Sequence, residues 1–147
     1  KYDNVRIGMN GRLDTIQAAI LLEKLSIFEE EIEMRQAVAK RYNAGLGNVT
    51  RVPYVIDGAT STWAQYTIVL DDRDAVAAKL KQNGIPTAVY YPRPLHRQTA
   101  YREFPSAPGG LPVSEDLSAR VLSLPMHPYL AVETQNHIVD AMIAAAS

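Results

Sequence analysis

Cysteine is absent from the 147 residues, which rules out disulfides, thiolate nucleophiles and cysteine metal ligands and agrees with a reducing, cytoplasmic setting. Long apolar runs are absent too, so no stretch approaches the roughly 20 residues that a membrane-spanning helix needs. Neither sign of charge is in excess. Fifteen Lys and Arg stand against 16 Asp and Glu, for a net charge of −1, and they are scattered, which argues against nucleic acid as a partner. Glycine-rich phosphate loops of the Walker or dinucleotide kind are missing. So are an initiator Met and a signal-peptide pattern: the first residue is Lys1, and the expectation is a piece of a longer chain. What is present is ordinary globular material, 47% hydrophobic and 21% charged, long enough to bury one core.

The densest local signal lies near the start. Asp14 with Gln17 three residues on fits a capping box, and Leu13, Ile16, Ile20 and Leu21 follow at helical spacing. Asn10 and Gly11 then fall in the preceding turn, with Arg12 beside the first backbone N–H groups of the helix, an arrangement suited to a phosphate or carboxylate. From Asp14 to about Leu46 the chain contains no proline and is rich in helix formers. That length predicts a kink or a break near Leu25 to Glu29, a stop at Gly45 and Gly47, and a solvated face at Glu29, Glu30, Glu31 and Glu33.

Arg51 to Tyr54 reads as a short strand and Thr62 to Leu70 as a better one, with aromatic and β-branched residues in near-alternation. Asp72 opens a helix that stops at Asn83-Gly84, and Thr87 to Tyr91 reads as another strand. Between Pro92 and Pro112 the chain carries five prolines and Gly109-Gly110, leaving a long loop with one helical possibility, Arg97 to Tyr101. Ser114 to Val121 is expected as a helix, Leu122 to Leu124 as a brief extended segment, and Val132 to Ala146 as the closing helix with Val132, Ile138, Met142 and Ile143 inward. The fold class is α+β, a small sheet covered by helices, with a long helical arm leading into it.

His96 and His127 each follow a rigid Pro-containing segment, whereas His137 sits among polar neighbours and reads as exposed. None has a second ligand at metal spacing, so no metal site is expected. Tyr90 and Tyr91 are adjacent at a strand end, where one should pack and the other face solvent or ligand.

Three motifs then combine in order: Gly8-x-Asn10-x-Arg12-Leu13-Asp14-x-x-Gln17-Ala18-Ala19, Tyr90-Tyr91-Pro92-x-Pro94-Leu95-His96-x-Gln98-x-Ala100-Tyr101, and Leu122-Ser123-Leu124-Pro125-Met126-His127-Pro128. Together they resemble the DegT/DnrJ-type sugar aminotransferases, which use pyridoxal phosphate on keto sugars attached to nucleotides. The resemblance covers nearly all of this chain and only the C-terminal portion of such an enzyme. It implies the small C-terminal domain of a fold-type I aminotransferase. Residues 1–47 would be a turn and helical arm leading from a large N-terminal domain, and residues 48–147 the small α+β domain.

The resemblance further implies a homodimer with shared active sites, in which Asn10 reaches the phosphate of the partner's pyridoxal phosphate and Arg12 approaches the substrate. Tyr90, Tyr91 and His96 would border the sugar-nucleotide pocket. Met126 and His127 would be structural. The Schiff-base lysine would lie upstream of Lys1, leaving this part inactive alone. The implied reaction moves an amino group, from glutamate as donor, to a keto sugar nucleotide in surface polysaccharide or glycoside biosynthesis. Two other readings stay open: a same-fold sugar dehydratase with histidine in place of that lysine, and a non-catalytic dimerisation or interaction domain.

Overall fold

The structure, a computed structural model, describes residues 3–9 and 11–146. Helix α1 spans Thr15–Leu25, and the Asp14 carboxylate accepts from the Gln17 N–H at 2.8 Å, satisfying one of the free donors at the helix start. The long helical stretch breaks at Ser26 and Ile27, where the backbone switches to tighter bonds from Ser26 N–H to the Glu23 carbonyl and from Ile27 N–H to that of Lys24. Helix α2 then runs Phe28–Leu46, with Glu29, Glu30 and Glu31 in its first turn, where the helix dipole favours negative charge.

Glu31 departs from the expected solvated face. Its side chain is only 13% exposed, accepts from Lys24 Nζ at 3.2 Å and from the Tyr129 hydroxyl at 2.8 Å, and so ties the helix break to the segment before the last helix. The Tyr129 hydrogen bond, followed by that from Lys24, holds its carboxyl below the usual range. Gly45 likewise does not stop α2. It lies inside the helix, and a Cβ there would come within 2.5 Å of Val139 Cγ1, so the missing side chain is what lets the last helix approach.

The sheet is smaller than the sequence suggests. Strand β1 covers only Tyr66–Val69, because Trp63 sits at φ 48° and interrupts the extended backbone before it. It pairs antiparallel with β2, Val121–Leu124, in the register Tyr66 to Leu124 and Val69 to Val121. Thr67 and Ser123 face each other across the pair, their hydroxyls 2.8 Å apart. The two other expected strands shrink to single bridges, Arg51 to Val69 on one side and Ala88 to Ser123 on the other. Pro53 limits the first and Pro86 and Pro92 bracket the second, and proline cannot donate to a ladder. Because both Tyr66–Val69 and Ala88 run antiparallel to β2, they run parallel to each other, with α3, Arg73–Gln82, as the crossover between them.

A short 3-10 turn at Leu95–Arg97 replaces the helical possibility at 97–101, and α4 begins at Pro112, earlier than expected, and ends at Arg120. Proline is well placed in a first helical turn, where its missing N–H costs nothing. Helix α5 spans Val132–Ala146 and packs on α2 and α3. Its buried residues are Gln135, Ile138, Met142 and Ala145, while Val132 and Ile143, expected inward, remain 45% and 39% exposed. The core joins α2, α3, α5 and both strands through Tyr42, Tyr66, Leu46, Ile68, Leu80, Leu122, Ile138 and Met142. The Tyr42 and Tyr66 rings meet edge to face at 4.9 Å, and burial pushes both phenols up. Each donates, Tyr42 to the Pro125 carbonyl at 2.9 Å and Tyr66 to Asn43 Oδ1 at 2.5 Å. Met126 packs against this core, whereas His127 and His137 are exposed.

Candidate active site

The proline-rich loop after Ala88 folds back over α4 and encloses a cleft of about 620 Å³. Tyr90, Tyr91 and His96 all line it, so three of the side chains singled out in the sequence meet at one place. The expected division of the tyrosines, one packed and one outward, does not hold. Tyr90 is 41% and Tyr91 72% exposed, and Tyr91 sits at φ 57°. A left-handed residue breaks the strand alternation that would send neighbouring side chains to opposite faces, which lets both rings border the same cleft. Such a backbone costs of order 1–3 kcal/mol for a residue with a side chain and is often found at functional sites.

His96 is positioned by Pro94, which caps the 3-10 turn, and by Glu115 from the first turn of α4. Its Nε2 lies 2.8 Å from Glu115 Oε1, and Arg97 reaches the same oxygen with Nε at 2.9 Å and Nη2 at 2.8 Å. The hydrogen bond from His96, followed by that from Arg97, holds the Glu115 carboxyl below the usual carboxylate range. When Nε2 carries the proton to Glu115, Nδ1 is left to accept a hydrogen bond. Glu115 is a site residue that sequence reasoning missed; it stands 19 positions from His96 with no local motif around it. Further lining residues, apart from those of the Tyr90 to Tyr101 motif, carried no such signal. Tyr101 and Phe104, with ring centroids 6.1 Å apart, line the cleft together with Leu111 and Leu117.

The turn before α1 is separate from the cleft. Arg12 is exposed, does not line the cleft, and has no ion pair among the described residues; Asn10 lies outside the described residues. A Cβ at Gly11 would meet nothing within 4 Å, so the turn is open to an approaching group. A guanidinium at a helix start, with no ion pair among the described residues, suits an anionic group such as a phosphate or a carboxylate. No lysine stands among the residues that line the cleft. No group of three or more metal-ligating side chains is found among the described residues, and none of their helices is long and apolar enough to cross a membrane.

Helices on a small antiparallel sheet, with a tyrosine and histidine cleft at the sheet's end, define an α+β domain of the kind found in aminotransferases. The profile of the DegT/DnrJ/EryC1/StrS aminotransferase family matches residues 1–143, and the chain belongs to that family. It is 49% identical over 131 residues to the UDP-2-acetamido-2-deoxy-3-oxo-D-glucuronate aminotransferase of Pseudomonas aeruginosa, covering 88% of this chain and 36% of that protein. Among solved structures, a DegT/DnrJ/EryC1/StrS aminotransferase from Brucella abortus superposes with a TM-score of 0.88 at 55% identity, over 98% of this chain and 39% of that one. DesV of S. venezuelae superposes at 0.82 and 31% identity, over 100% and 40% of the respective chains. The chain thus spans well under half the length of these relatives.

Proposed function

We propose that the protein containing this sequence transfers an amino group, with glutamate as donor, to the keto group of a nucleotide-linked sugar, and that this chain is the C-terminal portion of the enzyme. The observation that carries the reading is the meeting of Tyr90, Tyr91 and His96 in one cleft within a member of an aminotransferase family. Similarity to an enzyme named for a UDP-linked 3-oxo sugar supports the substrate class. The phenols and the imidazole would bind sugar hydroxyls or a carboxylate, and Glu115 would hold the His96 ring in place while it does so. Pyridoxal phosphate, when bound, supplies the electron sink that amino transfer requires. Asn10 and Arg12 would hold its phosphate and the substrate's anionic groups, and the lysine that anchors it would lie upstream of Lys1.

The exposed apolar side chains of α1 support the proposed homodimer. Ile16, Ile20, Leu22 and Leu25 are each at least 60% exposed, and a second copy covering this arm would bring the Arg12 turn to a shared active site. The test is amino transfer by the full-length protein: turnover of a UDP- or dTDP-linked keto sugar with glutamate, together with a cofactor absorbance band that sodium borohydride abolishes. Arg12→Ala should weaken substrate or cofactor binding. A full-length protein lacking that band and inert toward every keto sugar nucleotide overturns the reading. Loss of dimers in Ile20→Asp, read by sedimentation, tests the shared-site arrangement separately.

A further inference from the structure

The stretch from Asp3 to Met9 is extended coil, exposed at every residue, and it leads into the turn that carries Arg12. Its first two described residues, Asp3 and Asn4, are bonded to the proline-rich loop. The Asn4 N–H donates to Gln98 Oε1 at 3.1 Å, and the Asn4 carbonyl accepts from the Ala100 N–H at 2.8 Å. Asp3 grips the next residue, its two carboxylate oxygens accepting from the Thr99 N–H at 3.0 Å and the Thr99 hydroxyl at 2.9 Å, with Arg93 Nη1 also 3.0 Å away.

Gln98 is the centre of this clip. It is 5% exposed, and its amide is used at both ends, accepting from Asn4 and donating Nε2–H to the Arg93 carbonyl at 3.3 Å. Its backbone N–H bonds the Leu95 carbonyl, and its own carbonyl accepts from Tyr101 and Arg102. One buried side chain therefore joins the strap to both ends of the turn that holds His96. A loop with five prolines between 92 and 112 has few backbone donors of its own with which to fix such a turn.

We propose that Gln98 is a positioning residue: its side-chain amide pins the strap running to Arg12 onto the loop carrying His96, so that the two sets of binding groups hold a fixed relation. The functional half rests on the nucleotide-sugar reading above. The mechanical half does not.

The test uses the full-length protein and two variants. Gln98→Ala removes both side-chain bonds, whereas Gln98→Glu keeps the acceptor for Asn4 and sets a charged oxygen in place of the donor to the Arg93 carbonyl. In Gln98→Ala, hydrogen exchange at the Asn4 and Ala100 amides should speed up about tenfold, the loss of one hydrogen bond's worth of protection, with the Tyr66–Val69 amides unchanged. Calorimetric affinity for UDP or dTDP, whichever the parent protein binds, should fall by a similar factor while the unfolding midpoint stays within a few degrees. Gln98→Glu should restore slow exchange at Asn4 and recover part of the affinity. Unchanged exchange at Asn4 and Ala100 overturns the proposal, as does faster exchange with unaltered nucleotide affinity. If the parent protein binds neither nucleotide, the nucleotide-sugar reading is what fails, and the exchange data decide the clip independently.

Discussion

Helices α1 and α5 are both apolar, and they end in opposite situations. Residues 15–25 include Ile16, Ile20, Leu21, Leu22 and Leu25 and bury none of them, while residues 132–146 bury Gln135, Ile138, Met142 and Ala145. Composition does not separate the two. What separates them is whether a complementary surface lies within reach: α2 and α3 present one to α5, helped by the bare backbone at Gly45, whereas α1 leaves the domain at the Ser26 break. An apolar stripe therefore says that a helix has a face to cover and leaves open what covers it. In α5 the covering is the domain's own core; for α1 the proposed covering is a second copy.

The sharpest way to probe this contrast is to cut the same kind of side chain from each helix. Met142→Ala, at a fully buried position, should cost about 2–5 kcal/mol in urea unfolding, the range for emptying a core site. Ile20→Ala, at 60% exposure in α1, should change the stability of this chain by less than about 0.5 kcal/mol. A large loss from the second would mean that α1 is packed after all. Next in size is Gly45→Ala, whose new methyl would press on Val139; overpacking should cost roughly 1–3 kcal/mol, and a Val139→Ala partner change should recover most of it. Additive effects in that double mutant would remove Gly45 from the account of α5 docking. Smaller again is Asp14→Ala, which deletes the cap on Gln17 and should lower α1 stability by about 1 kcal/mol, visible as faster amide exchange in its first turn and nowhere in α5.

The smallest effect concerns pH. Because Glu115 has a lowered folded pKa, its contribution is fully present above the ordinary carboxylate pKa of about 4.3 and is lost as pH falls through the lower folded value. Glu115→Gln should therefore lower stability slightly near neutrality, where the contribution is complete, and flatten the acid limb, so that the two profiles converge below the folded value. An identical acid limb in the variant would mean that the His96 and Arg97 contacts do not persist in solution.

Much of the architecture was legible in the sequence where local chemistry decides it. The Asp14 and Asp72 caps, the break near Leu25, the Asn83-Gly84 stop and the bounds of α5 all depend on backbone groups within a few residues of the side chains that satisfy them. The strands were legible in place; three were overestimated in length, whereas the segment at Leu122 to Leu124 gained Val121. Alternation and β-branching mark a segment that can extend, but pairing requires a neighbour with free N–H groups, and proline removed several of those. The positive φ of Trp63 shows the same limit. Gln36, on α2, accepts from its indole at 2.7 Å and Arg35 donates to its carbonyl at 3.0 Å, partners nearly thirty residues away that no local reading of residues 62–70 includes.

The site divides along the same line. His96 could be named in the sequence because it follows a rigid proline segment, Tyr90 and Tyr91 because they end a strand beside it, and their motif carried the family resemblance. Glu115, Phe104 and Gln98 took their parts only after the loop closed on α4 and the strap closed on the loop. By itself the sequence determined where α1, α3 and α5 begin and end and which family the chain joins, since each depends on residue identity and short-range bonding. Only the tertiary structure decided which apolar face is buried, that both tyrosines share one cleft, and which carboxylate steadies His96, because each requires groups far apart in the chain to meet within a few ångströms.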